Sequence, residues 1–256
     1  MPQLNPTNPD TNDTNGAAQL YALGSAVLMF CAYWFFAYWI LANGHPHEDA
    51  YILFIYSEHL AAGQGIVYNL GGLHAEGATD FLWMAILALF TALGINVGIA
   101  AGLVNGIGIG LLTYLMIRSL LDGPNRPQTG KIVIGFFFLI LVALSGITAA
   151  SISGFSAAFY TAVSTLLLYL YIQPGIRQLV WVPALSLTLA LIRPDGVILG
   201  AGFCLLALLR VYSSPHFKAF FIHAACAVII GLAYFLWRYT YFGNFLPLPL
   251  YVKSYG

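Results

Sequence analysis

Polar residues are scarce along this chain, and their positions cut it into apolar runs. The first extends from Leu20 to Leu41, and others lie near 81–93, 96–117, 132–149, 155–172, 179–192, 196–210 and 219–237. The longest reach the ~20 residues that a membrane-crossing helix needs. None alternates polar with apolar positions as a barrel strand does. Only helices and closed barrels satisfy backbone groups in lipid, so the pattern predicts helices throughout. The run at 81–93 is short enough to be an interfacial or half-depth helix. Those at 179–192 and 196–210 meet at Arg193-Pro194-Asp195-Gly196, either as two short helices or as one broken one.

Residues 42–80 form the longest polar connection. The breaker-rich Asn43-Gly44-His45-Pro46-His47 ends the first run at the water boundary. Asp49 to Ala62 then predicts an amphipathic helix lying on the membrane, with its acidic residues where the helix dipole favours a carboxylate. Gly63 and Gly65 follow as stop signals, Gly being the usual residue past a helix C-terminus. Ahead of the first run, Met1 to Gln19 is rich in Asn, Thr, Pro and Asp and holds no Lys or Arg. A cleavable signal peptide would begin with a basic stretch. The segment therefore reads as a disordered cytoplasmic tail, 1–19, before a transmembrane module, 20–256.

Composition turns this pattern into a class. Of the 256 residues, 60% are hydrophobic and 7% charged, where soluble domains carry about 25% charged residues; this is the make-up of an integral membrane protein. Nine Lys and Arg balance nine Asp and Glu, which gives no basic field and excludes a nucleic-acid partner. Cys31, Cys204 and Cys226 lie within apolar runs, as small core residues do. Arg118, Arg126 and Lys131 mark one loop, Arg177 a second, and Arg210 with Lys218 a third. With these three loops inside, as cytoplasmic loops prefer, the expected fold is an all-α polytopic transmembrane helical bundle. It has about seven spans, a cytoplasmic N-terminus and interfacial helices in the first outer loop. Glu48, Asp49, Glu58, Glu76, Asp80 and Asp195 then all lie outside.

Adjacent carboxylates at a membrane edge are costly and suggest a task, so Glu48-Asp49 is the first candidate site; an N-terminal helix cap is the plainer reading. His45, His47 and His59 could join these acids around zinc or another divalent metal, although loop histidines are more often simply solvated. Arg193 and Asp195 read equally as a substrate-binding pair or as a local ion pair steadying a Pro-Gly helix break. Gly102, Gly106 and Gly110 are spaced for close helix packing. The aromatic runs Tyr33 to Phe36 and Tyr234 to Phe242 read as core and interfacial-belt residues. A transporter would show internal inverted repeats, which are not evident.

Several stretches in order carry a resemblance: Glu48-Asp49-Ala50-Tyr51-Ile52, Gly63 to Asn69, Glu76-Gly77-Ala78-Thr79-Asp80-Phe81-Leu82-Trp83, Arg193-Pro194-Asp195-Gly196, and Tyr241-Phe242-Gly243 with Leu246-Pro247 and Tyr251-Val252-Lys253. Over roughly residues 20–256 the chain resembles membrane glycosyltransferases of the GT-C fold, above all the mycobacterial arabinofuranosyltransferase group and related polyprenyl-phosphate-sugar transferases. It covers their N-terminal module. The resemblance implies sugar transfer from a polyprenyl-phosphate donor to an acceptor hydroxyl at the outer face of a bacterial inner membrane. Asp49 would be the general base on that hydroxyl, and Glu48 would orient the acceptor or a divalent metal. Arg193 or Lys253 would support the departing phosphate, with Glu76, Asp80 and Asp195 binding substrate. Three features depart from the family pattern: Ser153-Gly154-Phe155-Ser156 lacks an acid common there, Leu248-Pro249 replaces Asn-Thr, and the sequence ends at Gly256 where such enzymes usually continue with more spans or a C-terminal domain. The first and the last favour the alternative, a non-catalytic GT-C-derived subunit that packs against other membrane proteins. In either case membrane lipids are partners.

Overall fold

The computed structural model of the chain describes residues 10–42, 47–72, 74–77, 79–121, 135 and 138–245. They form an all-helical bundle: α1 (Asp10–Ala42), α2 (Glu48–Ala61), α3 (Phe81–Ala92), α4 (Val97–Leu121), α5 (138–143), α6 (Gly146–Ile152), α7 (Ala157–Ile172), α8 (Val182–Ile192), α9 (Gly196–Val211) and α10 (Phe217–Phe242). A 3₁₀ turn, Arg177–Trp181, leads into α8.

Among the described residues three helices are long and apolar enough to cross a membrane: α1 over Gly16–Trp39, α4 and α10. This corrects the expected seven. The shorter apolar helices, α7, Arg177–Ile192 and α9, have at most 16 residues, which at 1.5 Å rise span about 24 Å, less than the hydrocarbon core. The predicted run at 132–149 is also interrupted. Helix α5 ends at 143, and α6 begins after Ser145, whose hydroxyl accepts from the Thr148 amide at 3.4 Å. At the other end, α1 begins at Asp10, so residues 10–19 are helical where a disordered tail was expected. Once nucleated, a helix propagates cheaply into its flanks.

Glycine sets the closest contacts in the bundle. Helices α1 and α4 run antiparallel, with Gly102 under Trp34, Gly106 under Phe30 and Gly110 beside Ala26. This is the packing that the glycine spacing predicts. On another face of α4, Gly108 meets the backbone of Ala158 in α7. Helices α8 and α9 form a hairpin closed by the Ser186 hydroxyl, which donates to the Gly200 carbonyl at 3.1 Å. Helix α10 lies parallel to α8, its His223 stacked on Trp181 and its Gly231 against Leu187. At the end of the bundle where α7 finishes, Arg210 donates to the carbonyls of Tyr171 and Gln173, placing a cation where helix carbonyls are left unpaired.

The opposite end carries α2 and α3. The two pack on each other over Leu53, Phe54, Trp83, Met84 and Leu87 and cover the start of α4 at Val97, Ala100 and Ala101. The Ser57 hydroxyl, donating to Met84 O at 3.1 Å, joins them. With 12 residues, α3 matches the short non-crossing helix expected at 81–93. Helix α2 falls almost where predicted, and Gly63 after it adopts a φ of 74°, the left-handed conformation that ends helices.

Candidate functional site

The end of the bundle with α2 and α3 gathers the acids into one region through loop 153–156. Gly154 there has a φ of 100°, and an added Cβ would lie 2.8 Å from Ala50 Cβ and 2.9 Å from Phe54. Glycine thus lets α2 settle directly on the loop. The His47 amide donates to Ser153 O at 3.1 Å and the Trp83 indole to Gly154 O at 3.3 Å. Two residues further on, the Ser156 hydroxyl donates to Asp80 Oδ2 at 2.6 Å. The partner of the His47 amide and the partner of Asp80 therefore belong to the same four-residue loop, and an acid reaches the loop that lacks one of its own.

Glu48 and Asp49 open α2 and are exposed, with 70% of the Asp49 side chain accessible. Neither caps the helix. That position is taken by His47, whose Nδ1 accepts from the Asp49 amide at 3.3 Å and lies 3.8 Å from Asp49 Oδ2. The Asp49 carboxylate is left facing solvent at a positive helix end, accessible to a hydroxyl-bearing substrate.

Asp80, by contrast, is buried. It stands at the N-cap of α3 but makes no capping bond with its side chain; its other oxygen accepts from Thr79 Oγ1 at 3.1 Å. Ser156 likewise stands at the N-cap of α7 without capping it. The reason lies deeper in the bundle. The α7 amides of Ala158 and Phe159 are met by Ser151 Oγ at 2.9 Å and by Asn105 Oδ1 at 3.4 Å. Asn105, fully buried, also donates to Phe155 O at 2.8 Å and Ser151 O at 3.3 Å. Two buried polar residues thus cap α7 from behind and release Ser156 to hold Asp80.

Arg193 and Asp195 sit at the turn of the α8–α9 hairpin. Arg193 Nε donates to Asp195 Oδ1 at 3.1 Å, with 41% and 58% of the two side chains accessible. The guanidinium lies over the Tyr160 ring, 5.7 Å from its centre. Burial works against the charge, but Asp80, Asp195 and Tyr160 outweigh it and raise the Arg193 pKa above its ordinary value. Asp80 and Asp195 thus both act electrostatically on Arg193. Arg193 makes no ion pair with Glu48 or Asp49 among the described residues.

Glu76 has a different partner. Arg238 of α10 embraces it with two bonds, Nε to Oε1 at 2.8 Å and Nη2 to Oε2, and the pair is 6% and 8% exposed. Arg238 Nη1 also donates to Phe245 O at 2.7 Å beyond the end of α10. A carboxylate so enclosed acts as a structural clasp, a different role from the substrate binding expected from sequence. The clasp is reinforced by Tyr56, which donates to Ala75 O at 2.6 Å and accepts from the Gly77 amide, and by Tyr241, which accepts from the Ile66 amide at 3.0 Å and stacks on His74.

Sequence reasoning missed Arg238, Ser156, Tyr160 and the capping role of His47. Only Arg238 carried a signal, as a cation at the end of an apolar run that needs a partner. Lys253 and His45 lie outside the described residues. No group of three His, Cys, Asp or Glu that could hold a metal ion occurs among the described residues. Comparison of the chain with known protein families, with curated proteins and with solved structures finds no match.

Proposed function

We propose that the chain is a membrane glycosyltransferase module that transfers a sugar from a polyprenyl phosphate to an acceptor hydroxyl at the outer face of a bacterial inner membrane. The observation that carries this reading is the presence, at one end of the bundle, of both an exposed carboxylate and an oriented cation: Asp49 at the open start of α2, and Arg193 held over Tyr160 beside Asp195. Asp49 removes the acceptor proton as the hydroxyl attacks the anomeric carbon, and the sugar–phosphate bond breaks. Arg193 stabilises the charge left on the phosphate, a task that a fixed cation near a low-dielectric wall performs well. Glu48, beside Asp49, contacts the acceptor. In this reading the N-terminus is cytoplasmic and the first outer loop faces the substrate.

The test is transfer from a pool of polyprenyl-phosphate sugars by the purified protein. Asp49→Asn should lower turnover by about 10²–10⁴, the usual loss of a general base, while leaving donor binding intact. Asn preserves the shape, and His47 rather than Asp49 caps the helix, so the fold should hold. A second reading is favoured by α10, whose Val228, Ile229, Ile230 and Leu232 are all more than half exposed. Such a surface suits a GT-C-derived subunit docked on other membrane proteins. No transfer by the wild type, together with stable co-purifying membrane chains, would select it.

A further inference from the structure

Ser156 and Tyr160 lie one turn apart on α7, linked by the Tyr160 amide bond to Ser156 O at 2.9 Å, so their side chains share a face. From that face Ser156 grips Asp80 at 2.6 Å and Tyr160 supports the Arg193 guanidinium. Neither contact is needed to start the helix, because Ser151 and Asn105 already cap it. Asp195 engages only Nε of Arg193. Among the described residues the two terminal amino groups have no hydrogen-bond partner, and they form the planar fork that matches phosphate oxygens.

We propose that Ser156 and Tyr160 are positioning residues that preset Arg193, through Asp80 and the aromatic face, to receive the phosphate of a lipid-linked substrate. The inference rests on the glycosyltransferase reading for the identity of that lipid. Fixing the guanidinium beforehand removes the ordering cost that a free arginine would carry on binding. The negative charge of Asp80 and Asp195 is offset by Arg193 and by the N-termini of α3, α7 and α9, each equivalent to roughly half a charge. A phosphate therefore meets the cation without net repulsion.

The test measures binding of undecaprenyl phosphate, phosphatidic acid and inorganic phosphate to the full chain in detergent, with transfer assayed separately. The wild type should bind undecaprenyl phosphate most tightly, and Arg193→Ala should weaken it at least tenfold. Ser156→Ala and Tyr160→Leu should each weaken it about three- to tenfold, Ser156→Thr should restore it, and Ser156→Ala should add nothing in an Arg193→Ala background. A role in folding alone would instead lower the melting temperature and leave the affinity of the folded fraction unchanged. Equal affinity of Ser156→Ala and wild type, additive losses in the double variant, or no phosphate binding by the wild type would each overturn the inference. Equal binding of phosphatidic acid would refute the isoprenoid assignment. Undecaprenyl phosphate binding that follows this pattern with no transfer would refute the enzymatic reading and keep the inference.

Discussion

At the scale of single residues, the clearest contrast is between Glu76 and Asp49. Both lie between α1 and α3, yet one is enclosed by Arg238 and the other is open to solvent. Removing one partner of a buried ion pair leaves an uncompensated charge and costs about 3–5 kcal/mol, whereas replacing both with apolar groups is often neutral or better. Glu76→Leu or Arg238→Met alone should therefore lower the thermal midpoint in detergent sharply, and the double variant should recover most of the loss. A double variant as unstable as the two single losses combined would refute the clasp. The sequence distinguishes these acids poorly. Glu48-Asp49 stands out because adjacent carboxylates follow a breaker-rich exit, but the isolation of Glu76 is settled by Arg238, 162 positions away, and no local pattern carries such a pairing.

Elements were more legible than residues, because helix length and glycine spacing act locally. The start of α2, the short α3 and the meeting of α8 with α9 all follow from apolar runs and their breakers. The division of 132–149 into α5 and α6 does not, since the break depends on Ser145 capping a helix inside an apolar stretch. Loop 153–156 is similar: its bond to Asp80 depends on Asn105, buried in a different helix. The tightest element contact is the α8–α9 hairpin, where a Cβ on Gly196 would come 2.2 Å from the Leu189 carbonyl oxygen. Gly196→Ala must push the two helices apart and should destabilise by about 1–3 kcal/mol or more, as overpacking does. It should also weaken phosphate binding through the displaced Arg193. Gly202→Ala on the same helix, with nothing within 4 Å, should instead be neutral or stabilise by up to about 1 kcal/mol. Thermal unfolding of both variants in detergent checks the pair, and equal melting would show that the hairpin is looser than its backbone contact.

For the whole molecule, charge and chain direction agree. Arg118, Arg177, Arg210 and Lys218 lie at or beyond the ends of α4, α7 and α9, while Glu48, Asp49, Asp80 and Asp195 lie where α2, α3 and α9 begin. Basic loops prefer the cytoplasmic side because translocating them is unfavourable, so this distribution predicts that the end with Arg118, Arg177, Arg210 and Lys218 faces the cytoplasm. Among the described residues two basic side chains, Arg193 and Arg238, lie at the acidic end, paired with Asp195 and Glu76, against four at the other, so the count favours this orientation. After replacement of the three native cysteines, His74→Cys and Asn244→Cys should label in intact cells with a membrane-impermeant thiol reagent. Ser213→Cys should label only after permeabilisation. All three positions are exposed, so silence reports location and not burial. Labelling at Ser213→Cys but not at His74→Cys would invert the molecule, place Asp49 and Arg193 in the cytoplasm, and exclude chemistry on an outward-facing lipid-linked sugar.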